Sequence, residues 1–519
     1  MINNKKLVSM IFLVLLCLTA CAPNEESISI KERKKTDKSV TFLFNFTSAT
    51  LDPHTDDNYT AVRAGVGETL VKISNDLKIK PWLAEKWETK DNGLTWTFTI
   101  RKNITFQNGK ALDANAVKSS LQRTIDQSYA MKNALNIKEM KANGHALTIT
   151  LKEPMPKFPS ELVHPNTAII DVDVSSIAKK PIGTGPFHVL TFDQGNQVKL
   201  ERYEHYWNGK VKLKNAIFAF NEDANARVAA LQSGTADIIY RPPLESLSTL
   251  QANSSFKVRG VPSVRTHLLL YNQTNDALKD ETVRKAIDTL LNRKEIVSSI
   301  MNNQAAAARG PFLPQFPFAD NTASETKGIA YAKKYLEKAG YQLKNGKVIK
   351  NGKVIKNGKP LSLSLVTYSS LPELPLIAQL IQSNAKELGI NIKIHLVEDS
   401  DEYVMAKDDW DLALYSLITA PRGDASYYLS TNYLPGGGLN ASRINDDTLT
   451  KMIEQLNSTV DDAKRDQLAK QATALINGEM LTSSIVHPNI VVAYNQKVKN
   501  WTTNPSEYYM LTQHLDVTP

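Results

Sequence analysis

Nine histidines, a loop arginine and its acidic neighbour are the residues of this 519-residue chain best suited to chemistry. Imidazole stays largely neutral near physiological pH and binds borderline divalent metals well. The histidines fall into no hydrolase pattern. The chain has no His-Glu-x-x-His pair, no Gly-x-Ser-x-Gly elbow, no Gly-x-x-x-x-Gly-Lys-Ser/Thr loop and no dinucleotide fingerprint. Gly436-Gly437-Gly438 lacks the lysine and helix of a phosphate cradle and reads as a rim loop. In Thr419-Ala420-Pro421-Arg422-Gly423-Asp424, Arg422 offers a planar, permanently charged fork suited to a carboxylate, and Asp424 offers an anion for an amine.

The two cysteines, Cys17 and Cys21, lie close to the N-terminus. Lys5 and Lys6 precede an apolar run, Leu7 to Leu18, that is too short and too early to span a membrane. With Leu18-Thr19-Ala20-Cys21 at its end, the run predicts a signal peptide over 1–20, cleaved before a Cys21 that is then diacylated. Residues 21–38, rich in Glu, Lys and Ser, predict a flexible tether. The mature chain then has no thiol pair, so packed cores must stabilise it. A length of 519 residues at 42% hydrophobic composition implies several lobes. The net charge of +9 is spread along the sequence, which argues against a nucleic-acid partner.

The elements that must hold these side chains alternate between strand and helix. Val40 to Phe46 reads as a strand, Arg63 to Leu70 as a helix, and Asn75-Asp76 as a hairpin turn. Leu94 to Arg101 alternates as a strand after the turn Asp91-Asn92-Gly93, and Asp113 is placed to cap a following helix. Asp223 to Leu231 predicts a helix closed by Gly234. Gly183 and Gly185 suit a close backbone approach, as where a chain crosses between lobes. Helices over Val283 to Leu291 and Ala330 to Ala339, with strands over Leu361 to Thr367 and Ile390 to Leu396, predict an α/β second half. The repeated Lys-Asn-Gly of residues 344–358 predicts a basic surface hairpin.

Six landmarks in order carry a family resemblance. They are the segment Trp82 to Lys118, Pro181-Ile182-Gly183-Thr184-Gly185-Pro186-Phe187, Tyr203-Glu204-His205-Tyr206-Trp207, Arg227 to Asp237, Val283 to Ile287, and Asn292-Arg293. Over residues 40 to 510 the chain resembles the oligopeptide, dipeptide and nickel class of extracytoplasmic solute-binding proteins of ABC importers. The resemblance implies a two-lobed α/β fold of the periplasmic-binding-protein type, class II, that closes about a hinge. The implied lobes are 39–285, with an extra subdomain at about 73–180, and 286–487, with 488–519 returning to the first. It further implies a monomeric receptor, not an enzyme, on the outer face of the bacterial cytoplasmic membrane, working with a permease and its ATPase subunits.

What the resemblance implies for the ligand is nickel with a small chelator such as histidine, or else an oligopeptide or dipeptide. His54, after the first strand, and His487, where the chain crosses back, are the expected metal ligands, one from each side. His164 falls near the place where some nickel-binding relatives grip the chelator carboxylate, a task that Arg422 could take over. Asp424 sits in the loop where peptide binders hold an amine. Tyr59, Tyr415, Tyr427 and Tyr428 are expected cleft-lining rings, and the remaining histidines are expected to be structural. The Arg422-Gly423-Asp424 triplet leaves an extracellular adhesin as a minor alternative.

Overall fold

The computed structural model describes residues 38–518, except 321–327, 345–346, 351–352, 355–360 and 399. The expected leader, Cys21 and the tether fall outside these residues, as does the third Lys-Asn-Gly of the repeat. Among the described residues no helix is long and apolar enough to cross a membrane.

Alternating apolar residues make Ser39–Phe44 a fully paired strand, parallel to Asn215–Phe220 and to Ile238–Tyr240. Phe42 and Phe44 stack on Phe218 with ring centroids 5.3 and 5.5 Å apart, so the strand register is locked by aromatic contacts as well as by its ladder. An antiparallel meander, Phe187–Asp193 and Gln197–Arg202, completes this half of the sheet. In the other half, Ser362–Tyr368 runs parallel to Asn391–Val397 and Leu412–Ile418, and Arg265–Tyr271 runs antiparallel to the latter.

The strand Thr482–Asn495 belongs to both halves. Its first residues pair with Arg265–Tyr271, and its last with Phe256–Pro262 and Ile238–Tyr240. The chain therefore passes between lobes at Ser263–Val264 and again near Val486 to Asn489. The first passage lies upstream of the boundary expected at 285, because Arg265–Tyr271 takes its partners from the second lobe. One buried cluster lies in the first half, around Phe42, Phe218 and Tyr240, and one in the second, around Tyr271, Leu365 and Ile381, while a third takes residues from both, among them Phe98, Phe158, Tyr415 and Leu449.

The extra subdomain is a four-stranded sheet in the order Ala84–Thr89, Thr95–Ile100, Ala146–Leu151, Ile137–Asn143. The helix Ala114–Gln127 begins where expected, with the Asp113 carboxylate accepting the Ala116 N–H at 2.8 Å. Asp223 and Gly234 bound the helix Ala224–Ser233 in the same way. The Lys-Asn-Gly repeat forms antiparallel strands Tyr341–Lys344, Lys347–Lys350 and Lys353–Val354.

Two local expectations are corrected. The helix expected from Arg63 to Leu70 is instead Thr60–Arg63, because the chain turns at Gly65 with φ of +71°. Gly183 and Gly185 do not mark a crossing between lobes. They lie against that same turn within the first lobe, where a Cβ would fall 2.1 Å from the Val66 carbonyl oxygen and 2.3 Å from that of Gly65.

Candidate functional site

The loop after Leu412–Ile418 carries Arg422 into the contact between the lobes. Arg422 is 4% exposed, donates from Nη1 to the carboxylate of Glu161, and lies 4.2 Å from the ring centre of Tyr427. Glu161 comes from the opposite lobe, at the end of the short helix Phe158–Glu161. Burial opposes the Arg422 charge, but the Glu161 carboxylate holds its pKa above the ordinary arginine value. The buried Nε of Arg422 finds no partner among the described residues. A guanidinium committed at one corner and free at another can still accept a second carboxylate.

The backbone brings this loop close. Gly423 has φ of +69°, and a Cβ there would sit 2.8 Å from the carbonyl oxygen of Leu77, at the tip of the hairpin Val71–Ile73 and Ile79–Pro81. Lys157 adds a second ion pair across the lobes, to Asp462.

His164 stands beside Arg422. Its Nδ1 accepts the Asn166 N–H at 3.2 Å, capping the turn Pro165–Thr167, and its ring meets that of Tyr59 edge-on at 5.3 Å. Burial first, and the Arg422 charge second, pull its pKa down to about 3. The ring is thus neutral, and with Nδ1 accepting, its proton sits on Nε2. His164 therefore offers an N–H donor rather than a lone pair at Nε2. Tyr59 also meets Tyr508 edge-on at 5.9 Å. Tyr59, Glu161, His164, Arg422, Tyr427 and Tyr508 thus form one cluster.

The remaining expected site residues have other tasks. His54 has no free nitrogen: Nδ1 accepts from Arg123 at 2.8 Å, and Nε2 donates to the Ala168 carbonyl at 3.0 Å. Burial, aided by the Arg123 charge, pulls its pKa to about 4. The expected pairing of His54 with His487 on a metal is therefore not available, since one ring is fully used inside the first lobe. His487 is buried with a pKa pulled to about 4. The Thr266 hydroxyl donates to the Pro311 carbonyl and so accepts from His487 Nδ1 at 2.9 Å, while Nε2 makes no hydrogen bond among the described residues.

Asp424 is not free to hold an amine. Arg465 grips both its oxygens at 2.9 and 3.0 Å, and it accepts the Ser426 N–H at 2.8 Å at the start of the helix Ser426–Tyr433. Burial pushes its carboxyl up, yet Arg465 holds it below the usual range. The Tyr415 hydroxyl is spent on Asp401, and that of Tyr428 on Tyr433 at 3.2 Å. No group of three or more His, Cys, Asp or Glu among the described residues is arranged to hold a metal ion.

Three features were not singled out from the sequence. Glu161 and Tyr508 join the cluster, and a buried network lies at the passage between lobes. There Glu507 accepts from the Tyr240 hydroxyl at 2.8 Å, Arg241 at 3.3 Å and Ser263 at 3.4 Å, with Arg265 Nε 3.9 Å away. The polar-aromatic run Ser506-Glu507-Tyr508-Tyr509 within the returning segment is a sequence signal for Glu507 and Tyr508, and Glu161 has no part in it.

Comparison with known proteins sets this geometry in context. Residues 78–440 match the model for bacterial extracellular solute-binding proteins, family 5. The chain is 33% identical to the nickel-binding protein NikA of Staphylococcus aureus, over 87% of this chain and 89% of that protein. A solved structure of a nickel ABC transporter from Bacillus halodurans is 49% identical, with a TM-score of 0.82 over 93% of this chain and all of the other. That of Staphylococcus aureus NikA in complex with Ni(L-His)2 is 32% identical, with a TM-score of 0.78 over the same shares.

Proposed function

Since this chain belongs to family 5 of the bacterial extracellular solute-binding proteins, we propose that it is the receptor of an ABC importer for nickel held by a small carboxylate chelator such as histidine. The observation that carries this reading is Arg422, buried between the lobes with Nε unspent, beside the neutral donor His164. A chelator carboxylate can take both donors, and the rings of Tyr59, Tyr427 and Tyr508 supply flat surfaces for imidazole. His487 Nε2 is an unspent protein nitrogen for a metal whose chelator leaves a coordination site open. The relatives that bind nickel, one of them with histidine, support the choice of ligand. A peptide reading has less support, because the acid expected to hold the peptide amine is neutralised by Arg465.

In this account the chain makes and breaks no bond in its ligand, acts as a monomer, and hands the ligand to a permease driven by ATPase subunits. Diacylation at Cys21 tethers it to the outer face of the membrane. Release of a Cys21→Ser chain into the medium checks the tether, and its retention contradicts it. Native mass spectrometry of the soluble chain, incubated with nickel and L-histidine, tests the ligand. The expected adduct is one nickel plus histidine, lost in Arg422→Ala. An unliganded spectrum, or an adduct without metal, refutes the reading.

A further inference from the structure

We infer that Glu161 sets the charge of the ligand: by neutralising Arg422 where the lobes meet, it admits metal chelates of zero net charge and turns away anionic ones. This rests on the nickel-chelate reading above and narrows it to a class of complex.

A buried cation must be balanced, because removing an uncompensated charge from water is strongly unfavourable. Arg422 is balanced by one anion, Glu161, whose side chain is 13% exposed. The other titratable groups nearest Arg422 leave that balance unchanged. His164 is neutral with a pKa of about 3, and burial pushes the phenols of Tyr59 and Tyr508 up, away from ionisation. Further out, the charge of Arg63 is felt by Asp56 and Glu507, and Arg241 and Arg265 face Glu507, with Glu373 also within reach of Arg241. Asp57, which faces Tyr59, is exposed to solvent, and Glu373 is also paired with His267 at 3.1 Å. Lys157 is matched by Asp462.

A nickel dication held by two histidinate anions is formally neutral. Its carboxylates can use Arg422 Nε without displacing Glu161, so closure buries no net charge. Nickel–EDTA is a dianion, and hydrated nickel a dication. Either would place unbalanced charge between the lobes, where it is weakly screened. Glu161 is therefore a specificity-determining residue, not only a closing contact.

The test is calorimetry on the soluble chain at neutral pH and fixed ionic strength, with nickel in excess L-histidine and with nickel–EDTA. Wild type is expected to prefer the histidine complex. In Glu161→Gln, which keeps the shape but leaves Arg422 unbalanced, the ratio of the two Kd values is expected to shift about tenfold or more toward nickel–EDTA. Glu161→Asp, which keeps the charge, is expected to retain the wild-type order. Equal weakening of both complexes in Glu161→Gln reduces Glu161 to a closing contact and overturns the inference, as does a wild type that binds nickel–EDTA equally well. Absence of heat from the histidine complex with wild type overturns the nickel reading itself, and the inference with it.

Discussion

Glu507 is a fully buried carboxylate with φ of +64° at the passage between the lobes. Burial pushes its carboxyl up, but Arg241, Arg265 and Arg63 outweigh burial and hold it near 2, against an ordinary value of 4.5. A carboxylate lowered by folding adds stability that is fully present above its unfolded pKa and is lost as pH falls through the folded one. The melting temperature of Glu507→Gln is therefore expected to lie furthest below wild type above pH 4.5, with the gap closing toward pH 2. A gap that does not change with pH would contradict this. At this scale the sequence disclosed residue types but not commitments. Arg422, His164 and Tyr59 do meet, whereas His54 and Asp424 carry the right chemistry and are consumed by Arg123 and Arg465. Those partners stand 69 and 41 residues away in the chain, so no local pattern could reveal them.

Elements were most legible where their signals are local. Asp113 and Asp223 cap helices and Gly234 closes one, because each depends only on its own few residues. Legibility failed where tertiary contact decides. The helix after Tyr59 is cut short because Gly65 must turn so that Gly183 and Gly185 can pack on it. The strand Thr482–Asn495 is continuous, yet its two ends serve different lobes, a fact fixed by register with Arg265–Tyr271 and Phe256–Pro262. Arg265–Tyr271 looks alike in either lobe until its pairing with Leu412–Ile418 is seen.

In the whole molecule, the passages at Ser263–Val264 and Val486 to Asn489 connect lobes that meet through Arg422 with Glu161, Lys157 with Asp462, and Gly423 with the hairpin tip at Leu77. The two-lobed α/β plan was implied by the family resemblance that six sequence landmarks carry. The closing contacts did not, because they pair residues from segments hundreds of positions apart. Since these contacts flank Arg422, ligand capture and lobe closure should be a single event. Small-angle scattering of the soluble chain measures this most directly. The account predicts that the radius of gyration falls when nickel and L-histidine are added together and is unchanged by either alone. No contraction with the pair, or equal contraction with histidine alone, would contradict it.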